Sequence, residues 1–475
     1  MQNYNNTNAL NPNLSEKYLF IPNDSLPKFI NTHTFEGVTQ SGMQCYCLKG
    51  CLSDDSPEER HCPNCGASMH IHSSQVVNLR HINYGAKYLQ LQVHTYRFKC
   101  PCCATVTQQK INFKADNHFI TKGLEKHILQ LLEQNNLTLK SISLLTGVNR
   151  HIVKDIDKKR LLNLYTDGKD SIDKLLFKKP TEQAKYLAID EFKIHDCHKF
   201  ATHIINLENG HILWIAEGKK KQVVYNFIKY VGLEWMDNVV AVSCDMNSDF
   251  QEAFLEKCPH LDIVYDRFHL VKNFNDNVIS KIRKDEYKRL CTEGKYKEAA
   301  SLKGSKYILM SNRSTLQRKD ADARSNKVQH QGSELFGTKT VHCKGGNEER
   351  YDTLLKENRL LFIADAIKEA LNDAYKETDW HRMADKIDFI IDECNKTANK
   401  HFEWFAKLII NHYDGIISRA VYGIASGKIE GINQKIKTIR RQAYGLPDDE
   451  YFFLKIMDAS RNADARDHKS HKFLP

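Results

Sequence analysis

Two aspartates follow apolar runs near the middle of the chain. Asp190 comes directly after "YLAI" and Asp245 directly after "VVAVSC", and such short apolar runs predict buried strands. An ionised carboxylate at the end of a buried strand is costly unless another group compensates its charge. Two of them on neighbouring strands would offer the oxygen ligands that Mg²⁺ or Mn²⁺ prefers. The alternative interpretation is that both aspartates only form the turns that end their strands.

A third acidic residue, Glu430, lies in the segment "SGKIEGINQKIKTIRRQAYG". The isoleucines of this segment recur at helical spacing and predict one apolar face; they are Ile429, Ile432, Ile436 and Ile439. A helix that packs this face on the sheet would present Glu430 as a third ligand. Three carboxylates holding two ions would activate a water or a 3′-hydroxyl and stabilise the leaving oxygen of a phosphoryl transfer.

The cysteines concentrate near the N-terminus, since eight of the 14 precede residue 104. Cys62 and Cys65 form one C-x-x-C pair, and Cys100 and Cys103 form another, with 34 residues between Cys65 and Cys100. Two such pairs predict a tetrahedral structural Zn²⁺ site with four thiolate ligands. Cys102 is an alternative ligand to its neighbours, and unconnected reduced thiols are the alternative to zinc.

Three further cysteines, Cys45, Cys47 and Cys51, precede this pattern. With His61 or His70 they would make a second metal site. The chain has 22 histidines, so closeness in sequence does not by itself select these two as ligands.

The stretch "TLKSISLLTGVNRHIVKDIDKKR" predicts a helix-turn-helix. Gly147 permits the turn, Val148 packs under it, and the following helix would be the recognition helix. The side chains predicted to face the major groove of DNA, where Arg and Asn read base edges, are Asn149, Arg150, His151 and Lys154. An ordinary hairpin of two helices is the alternative interpretation.

The elements that would position the aspartates begin at residue 181. Their order is three strands, a helix, a strand, a helix, a strand and a helix, and Asn209-Gly210 predicts a hairpin turn after the second strand. This order indicates an α/β fold with a mixed sheet over residues 181–280. Residues 281–415 are predicted to be helical, with a mobile basic loop at 320–350 because that stretch is polar and aperiodic.

Composition indicates the class of protein and its surroundings. The 475 residues are 41% hydrophobic, and no run reaches the roughly 20 apolar residues of a membrane helix. The first residues show no secretory signal, so we expect a cytoplasmic protein whose cysteines are reduced or bind metal. The net charge of +10 favours a polyanionic partner, of which nucleic acid is the commonest.

Four segments together resemble the ISL-three family of bacterial insertion-sequence transposases of the DDE type: "AIDEF", "SCDMNSDFQEAF", "YDRFHLVK" and "IEGINQKIKTIRRQAYGLPDDEYFFLKIM". The two cysteine pairs and the helix-turn-helix fall where that family has them. The resemblance spans roughly residues 45–460, and its last segment is the most specific.

This resemblance implies a ribonuclease-H-like catalytic fold, interrupted by a helical insertion between the second Asp and the Glu. It implies that Asp190, Asp245 and Glu430 are the catalytic triad and hold two Mg²⁺ or Mn²⁺ ions. Asp266 and His269 match a D-x-F-H motif of the family, and a structural role at a strand-to-helix corner is the alternative to contact with metal or DNA. The long polar loop and the additional cysteines depart from the family pattern but leave the triad untouched.

We therefore predict a multidomain α/β chain in which every domain has a separate task. Residues 1–40 are a flexible leader, 41–110 a zinc-binding module and 111–170 the helix-turn-helix DNA-binding domain. The mixed sheet with its helical insertion follows, and 416–475 hold the catalytic helix and a tail.

The predicted function is that of a DNA transposase, which binds the terminal inverted repeats of an insertion sequence and catalyses metal-dependent strand cleavage and strand transfer. Its partners would be double-stranded DNA, both repeats and target, and it would act as a homo-oligomer on the bacterial nucleoid. Basic residues near Glu430 would hold phosphates, with a solvated basic face as the alternative; they are Lys437, Arg440 and Arg441. Two rival functions are a domesticated, non-catalytic DNA-binding regulator and a metal-dependent nuclease without strand transfer.

Overall fold

The computed structural model describes residues 26–39, 42–53, 60–169, 175–195, 199–246, 248–325, 327–333, 337–342, 344–424, 427–442 and 447–461. The chain divides into two compact units. Among the described residues, the first unit contains those up to Lys178 and again those from Thr438 onward, and the second contains Lys179–Lys437. The segment 416–475, predicted as one C-terminal domain, is therefore shared between the units. Each described helix is too short or too polar to cross a membrane.

The first unit begins with a five-stranded sheet. Its strands are β1 Phe29–Val38, β2 Gln44–Leu52, β3 His70–Tyr84, β4 Lys87–Lys99 and β5 Val106–Gln108. They lie in the order β1-β2-β4-β3, with β5 beside β4; β2 and β4 are parallel and the other pairs antiparallel. β1 falls within the predicted flexible leader, 1–40. This part of the leader is a strand, because its backbone pairs with β2 along most of its length. Residues 1–25 of that leader lie outside the described residues.

Three helices follow this sheet, α1 Lys122–Glu133, α2 Leu139–Thr146 and α3 Arg150–Tyr165. Thr138 caps α2, since its side chain accepts a hydrogen bond from the backbone N–H of Ser141. Gly147 ends α2 with φ +68°, and a Cβ there would lie 2.8 Å from Nη2 of Arg80. Val148 is buried directly after it. The turn between α2 and α3 thus requires glycine twice over, for its backbone conformation and for space. A small sheet completes this region, with strands β6 Thr166–Lys169 and β7 Leu175–Phe177.

The second unit contains the predicted mixed sheet. Its strands are β8 Tyr186–His195, β9 Lys199–Asn206, β10 Ile212–Glu217, β11 Ala241–Cys244 and β12 Asp262–Tyr265. The order is β10-β9-β8-β11-β12, with the first three antiparallel and β8, β11 and β12 parallel. The connecting helices are α4 Lys221–Val231, α5 Leu233–Met236 and α6 Ser248–Lys257. The predicted α/β class is confirmed, and Gly210 turns the β9–β10 hairpin with φ +82°.

Helices dominate the chain after β12. They are α7 Arg267–Phe274, continued by a π-helical turn Asn275–Ile279, then α8 Ser280–Thr292, α9 Tyr296–Leu302, α10 Lys306–Met310, α11 Arg313–Arg324, α12 Asn347–Glu357, α13 Arg359–Ala374, α14 Trp380–Lys396, α15 Lys400–Asn411, α16 Tyr413–Tyr422, α17 Gly427–Gln442 and α18 Asp449–Arg461. The inward faces of α7–α16 form one core with the second sheet, and this core buries Phe274, Ile387 and Phe405 completely.

The stretch 320–350 differs from the predicted mobile loop. It contains the end of α11, an antiparallel hairpin of β13 Val328–Ser333 and β14 Gly337–His342, and the start of α12. Asp320 connects the end of α11 to the start of α12, because its carboxylate accepts hydrogen bonds from the backbone N–H groups of Asn347 and Glu348. It thereby caps α12 and holds the two ends of the hairpin together.

Candidate metal centre and acidic site

The four cysteines of the two C-x-x-C pairs come together in the first unit. The Sγ atoms of Cys62, Cys65, Cys100 and Cys103 all lie within 4.8 Å of one another. Cys62 is 3.4 Å from Cys103, and Cys65 is 3.4 Å from Cys100. Four converging thiols from two pairs are the ligand set of a structural zinc site. The predicted pairing is confirmed, and the neighbouring Cys102 lies outside this group within the described residues.

Two turns of the same design bring these thiols together. The backbone N–H of Gly66 donates to the carbonyl of Cys62 at 2.9 Å, and that of Ala104 donates to the carbonyl of Cys100 at 3.1 Å. The residue that completes each turn is left-handed, with φ +72° at Gly66 and +56° at Ala104. The ligands are therefore fixed by the local backbone on each side.

One thiol of the cluster is already biased toward its ionised form. Hydrogen bonds from the hydroxyl and the backbone N–H of Thr105 lower the pKa of Cys103 to about 6. A thiolate is the form that binds zinc, so Cys103 is ready to bind the metal. A backbone hydrogen bond from Ala67 lowers the pKa of Cys65, but hydrogen bonds with the other three thiols outweigh it and raise that pKa to about 12.

The second cysteine group does not form a metal site among the described residues. Cys45 and Cys47 are buried in β2, and burial raises the pKa of Cys47 to about 12, which keeps its thiol protonated. The four-cysteine cluster is the one described set of three or more metal-ligating side chains within mutual reach. The alternative site with His61 or His70 is therefore not supported.

The two aspartates lie on neighbouring parallel strands of the second unit. Asp190 is within β8, and Asp245 directly follows β11. These strands pair in register, with Ser243 beside Ala188, so two residues further along each strand stand Asp245 and Asp190. Both side chains are partly exposed. The two carboxylates thus lie side by side at one edge of the sheet, the one formed by the carboxyl ends of its parallel strands, as the apolar runs predict.

Three carboxyl groups act on one another at this edge, those of Asp190, Glu191 and Asp245. Burial raises the pKa of Glu191, and Asp245 and Asp190 raise it further, while Lys219 acts against them. His203, opposite Asp190 on β9, is fully buried, and burial lowers its pKa to about 4 although Asp190 raises it. A neutral histidine leaves the carboxylates without compensation from that side, which makes the edge attractive to cations.

Helix α17 brings its acidic residue toward the same edge. Glu430 lies exposed in its first turn, and Asn433, one turn later, donates from Nδ2 to Oδ2 of Asp190 at 2.6 Å. Lys428 anchors the start of the helix by donating to the carbonyl of Leu207 at 2.8 Å. Two of the four isoleucines of the predicted apolar face are buried, namely Ile429 and Ile436.

The three acidic residues do not form a closed cluster. Asp190, Asp245 and Glu430 are all described, yet they are absent from the sets of ligand atoms that lie within 4.8 Å of one another. At least one pair among them is therefore farther apart than that. Like charges that share a site repel, so an open arrangement is what carboxylates alone would adopt.

Two family models match this chain in the same regions. The model of the ISL3-type DDE transposases, described as a transposase, matches residues 187–456, more than half of the chain, and includes all three acidic residues. The zinc-finger model of the transposases of IS204, IS1001, IS1096 and IS1165 matches residues 58–103, which span the four cysteines. The chain belongs to the ISL3 family of transposases.

Individual relatives of this ISL3 transposase carry the same description. A transposase for insertion sequence element IS1001 from Bordetella parapertussis is 25% identical over 401 residues, which cover 84% of this chain and 88% of that protein. A transposase for IS1557 from Mycobacterium tuberculosis is 22% identical over 277 residues, 54% of this chain and 56% of that protein. The longer match extends beyond the region of the transposase family model.

The residues of the D-x-F-H motif lie at a strand-to-helix corner of the ISL3 transposase. Asp266 follows β12, and its Oδ1 accepts a hydrogen bond from the backbone N–H of Phe268 at 3.0 Å. It is thus the N-cap of α7. The ring of His269 packs edge-on against Phe268. Asp266 therefore caps α7, and the contact given for His269 is with its neighbour in the chain.

The predicted DNA-reading residues lie at the start of α3. Asn149 is its N-cap, since Oδ1 accepts a hydrogen bond from the N–H of His151 at 2.9 Å. Arg150 and His151 are exposed. Three further predicted contacts lie on α17: Lys437 is exposed in the second unit, and Arg440 and Arg441 lie in the last turn, which belongs to the first unit.

Lys154, also predicted to face DNA, is held by α18. Its ammonium is 3.1 Å from Oδ2 of Asp448 and 5.3 Å from the ring centroid of Tyr451. Lys158 pairs with the same carboxylate at 3.0 Å. DNA phosphates would have to compete with Asp448 for both lysines.

A buried ionic network joins α3 and α18, and no sequence pattern predicts it. Asp157 is completely buried and accepts hydrogen bonds from Arg160 at 2.9 Å, from the hydroxyl of Tyr451 at 2.7 Å and from Lys455 at 3.1 Å. Arg160 also donates to Asp458 at 2.8 Å. The available signal was an aspartate on an otherwise apolar helix face. Arg160 is close to it in sequence, but Tyr451 and Lys455 are almost 300 residues away.

Proposed function

We propose that this ISL3 transposase binds the terminal inverted repeats of an insertion sequence and catalyses metal-dependent strand cleavage and strand transfer. One observation carries the proposal. Asp190 and Asp245 stand side by side at the edge of β8 and β11, and α17, which carries Glu430, contacts that edge through Asn433. These are three oxygen ligands in an acidic setting, matching the chemistry that transposition requires.

The fold is consistent with a ribonuclease-H-like catalytic domain. The second sheet has three antiparallel strands followed by two parallel ones, in the spatial order third, second, first, fourth, fifth. A helical region separates the second aspartate from the glutamate. This order supports the assignment of Asp190, Asp245 and Glu430 as the catalytic triad.

The residues at this edge fit Mg²⁺ or Mn²⁺. All three candidate ligands offer hard oxygen donors, and the like charges that raise the pKa of Glu191 would be relieved by a cation. When two such ions are bound, they activate the attacking oxygen and stabilise the leaving oxygen. The chain itself supplies the binding carboxylates, and Asn433 orients one of them.

The first unit would recognise DNA. The zinc cluster closes two turns of the five-stranded sheet, and α2 and α3 would form the helix-turn-helix. Asn149, Arg150 and His151 would approach base edges, because they lie at the exposed start of α3. Lys154 would face the same groove, and Lys437, Arg440 and Arg441 would contact phosphates. Binding of two repeats and a target implies a homo-oligomer on DNA, acting on the nucleoid of a bacterial cytoplasm.

The decisive experiment is a strand-transfer assay. The full chain is incubated with labelled terminal-repeat DNA, a target plasmid and Mg²⁺. Joined products support the transposase, cleavage without joining supports a nuclease, and binding without cleavage supports a regulator. Asp190→Asn, Asp245→Asn and Glu430→Gln are each expected to reduce cleavage about a thousandfold, since bound metal ions supply several kcal/mol of transition-state stabilisation.

Glu234→Gln is the matched control, because it removes an exposed carboxylate of the same unit away from the sheet edge. It should cleave like the unmodified chain. Retained cleavage in Asp190→Asn or Glu430→Gln would overturn the triad.

A binding assay separates base reading from phosphate contact. Arg150→Ala should weaken binding to repeat DNA by roughly 1–3 kcal/mol and reduce its preference over scrambled DNA. Lys437→Ala should weaken both to a similar degree and lower the salt dependence by about one ion. A Lys437→Ala variant that loses preference instead would reassign that residue to base reading.

A further inference from the structure

The amide of Asn433 is placed to control the first carboxylate of the acidic site. We propose that Asn433 is a positioning residue, which holds Asp190 in the orientation that binds the divalent cation. This inference depends on the proposed function, because it assumes that Asp190 is a metal ligand.

Both oxygens of Asp190 have a fixed donor. Asn433 donates from Nδ2 to Oδ2 at 2.6 Å, and the backbone N–H of Glu191 donates to Oδ1 at 2.7 Å. Each carboxylate oxygen can accept more than one bond, so both retain capacity for a cation. The two donors therefore fix the plane of the carboxylate and leave both of its oxygens able to bind a cation.

The chemical type of this partner suits a metal site. An amide is neutral, so it orients Asp190 without cancelling the negative charge that attracts the cation. A lysine at the same place would compete with the metal for the carboxylate. Outer partners of this kind set ligand orientation in metal sites, and their loss costs 10- to 100-fold in metal affinity or activity.

The oxygen of the same amide lacks a hydrogen-bond donor among the described residues. Oδ1 of Asn433 is buried and has no hydrogen-bond partner among the described residues. A buried acceptor without a donor is unfavourable. A water molecule in the hydration shell of a bound cation would satisfy it, which a purely structural role of Asn433 would not require.

Asn433 also links the helix that carries Glu430 to the strand that carries Asp190. It lies one helical turn after Glu430, so its bond to Asp190 sets the rotation of α17 about its axis. The buried Ile429 and Ile436 fix the same helix on its apolar side. One amide therefore influences how Asp190 and Glu430 face each other.

The test measures metal binding directly. Zinc-loaded full-length protein is titrated with Mn²⁺ in a calorimeter, as unmodified chain, Asn433→Ala, Asp190→Asn and Gln434→Ala. Gln434 is the matched control, an exposed amide one position further along the same helix. We expect Asn433→Ala to weaken Mn²⁺ binding about 10- to 100-fold. Gln434→Ala should bind as the unmodified chain does.

Cleavage kinetics provide the second readout. In Asn433→Ala the Mg²⁺ concentration for half-maximal cleavage should rise by a similar factor, while the rate at saturating Mg²⁺ recovers to within several-fold. Asn433→Ser, which keeps a small polar side chain, serves where Asn433→Ala lowers the melting temperature.

The outcomes distinguish the positioning role of Asn433 from the metal site at Asp190. Mn²⁺ binding that depends on Asp190 but is unchanged in both Asn433 variants would reduce Asn433 to a docking contact and overturn its positioning role alone. Mn²⁺ binding that is indifferent to Asp190→Asn would overturn the proposed metal site, and the positioning role with it.

Discussion

The two candidate metal-binding regions of this transposase are assembled in opposite ways. Four cysteines converge because two short turns, one at Cys62 and one at Cys100, each fix a pair of ligands through their own backbone bonds. The acidic residues come from a strand, a strand end and a helix that are far apart in the chain. The thiols form a compact cluster, whereas the three carboxylates do not lie within the same 4.8 Å limit.

The charges of the ligands explain this difference. A thiol with its ordinary pKa of about 8.5 is mostly neutral at neutral pH, so four can approach one another before a metal binds, and most of them ionise only with the metal. Carboxylates are ionised at neutral pH and repel. We therefore expect zinc to be part of the folding of the first unit, and Mg²⁺ to bind to a second unit that is already folded.

The largest effect that this comparison predicts is the loss of zinc. Cys100→Ser removes a buried ligand, so we expect the variant to lose its zinc ion and the first unit to lose the turns that depend on it. Structural zinc contributes roughly 10 kcal/mol of binding free energy. Metal analysis and hydrogen exchange in β3 and β4 measure both losses.

The second unit should be unaffected, and its fluorescence can show this. All four tryptophans lie in Lys179–Lys437, so tryptophan emission reports the second unit alone. Cys102→Ser is the matched control in the same turn and should keep its zinc. Zinc loss in that control, or an emission change in Cys100→Ser, would contradict the separation of the two regions.

Acid is expected to weaken the first unit through a buried histidine outside the zinc cluster. Burial lowers the pKa of His81 to about 4, and its Nδ1 lies 2.7 Å from the hydroxyl of Thr121. The unfolded chain binds a proton near pH 6.5, so stability is complete above that pH and is lost as the pH falls toward 4. At pH 4.5 the loss should be about 2 to 3 kcal/mol.

Calorimetric unfolding at pH 7 and pH 4.5 measures this loss, and His81→Gln should reduce it by that amount. His72→Gln, on the exposed side of β3, serves as the control and should behave like the unmodified chain. An equal acid effect in His81→Gln would assign the sensitivity to other groups, such as the zinc ligands.

The same contrast explains what could be predicted from sequence. The C-x-x-C spacing and Gly147 encode local turns, so the zinc cluster and the bend between α2 and α3 were readable from a few adjacent residues. The alternation of strands and helices predicted the mixed sheet for the same reason. Asp245 was placed correctly at a strand end, whereas β8 continues five residues beyond Asp190. Helical spacing suggested Glu430 as a third ligand, and the family resemblance named it as part of a triad.

What could not be predicted depends on distant partners. The sequence around Asp157 does not predict its hydrogen bonds with Tyr451 and Lys455. In the same way, the sequence around Lys154 does not predict its ion pair with Asp448. The β13–β14 hairpin looked like a loop because its polar sequence lacks apolar alternation, and Asp320 closes it by capping a helix 27 residues away. Such contacts depend on the packed structure and leave no periodic pattern.

A smaller effect is expected when Mg²⁺ is added to the second unit. At a Mg²⁺ concentration ten times its dissociation constant, binding to the folded state should stabilise it by about 1.4 kcal/mol. Tryptophan emission during urea unfolding measures this gain. The Asp190→Asn and Asp245→Asn double variant should lose it, and equal stabilisation of that variant would place the cation elsewhere.

The smallest effect compares the two zinc turns with each other. Gly66 and Ala104 occupy equivalent positions with φ +72° and +56°, a conformation that costs an alanine roughly 1 kcal/mol and a glycine little. Ala104→Gly should therefore stabilise the first unit slightly, by less than about 1 kcal/mol, because part of the relieved strain is offset by the greater freedom of glycine in the unfolded chain. Gly66→Ala should destabilise it by about the same amount. Urea unfolding of the zinc-loaded protein, followed by hydrogen exchange in β4, measures both changes. If Ala104→Gly were the more harmful of the two, the turns would not be equivalent, and the local backbone would not be what brings the four thiols together.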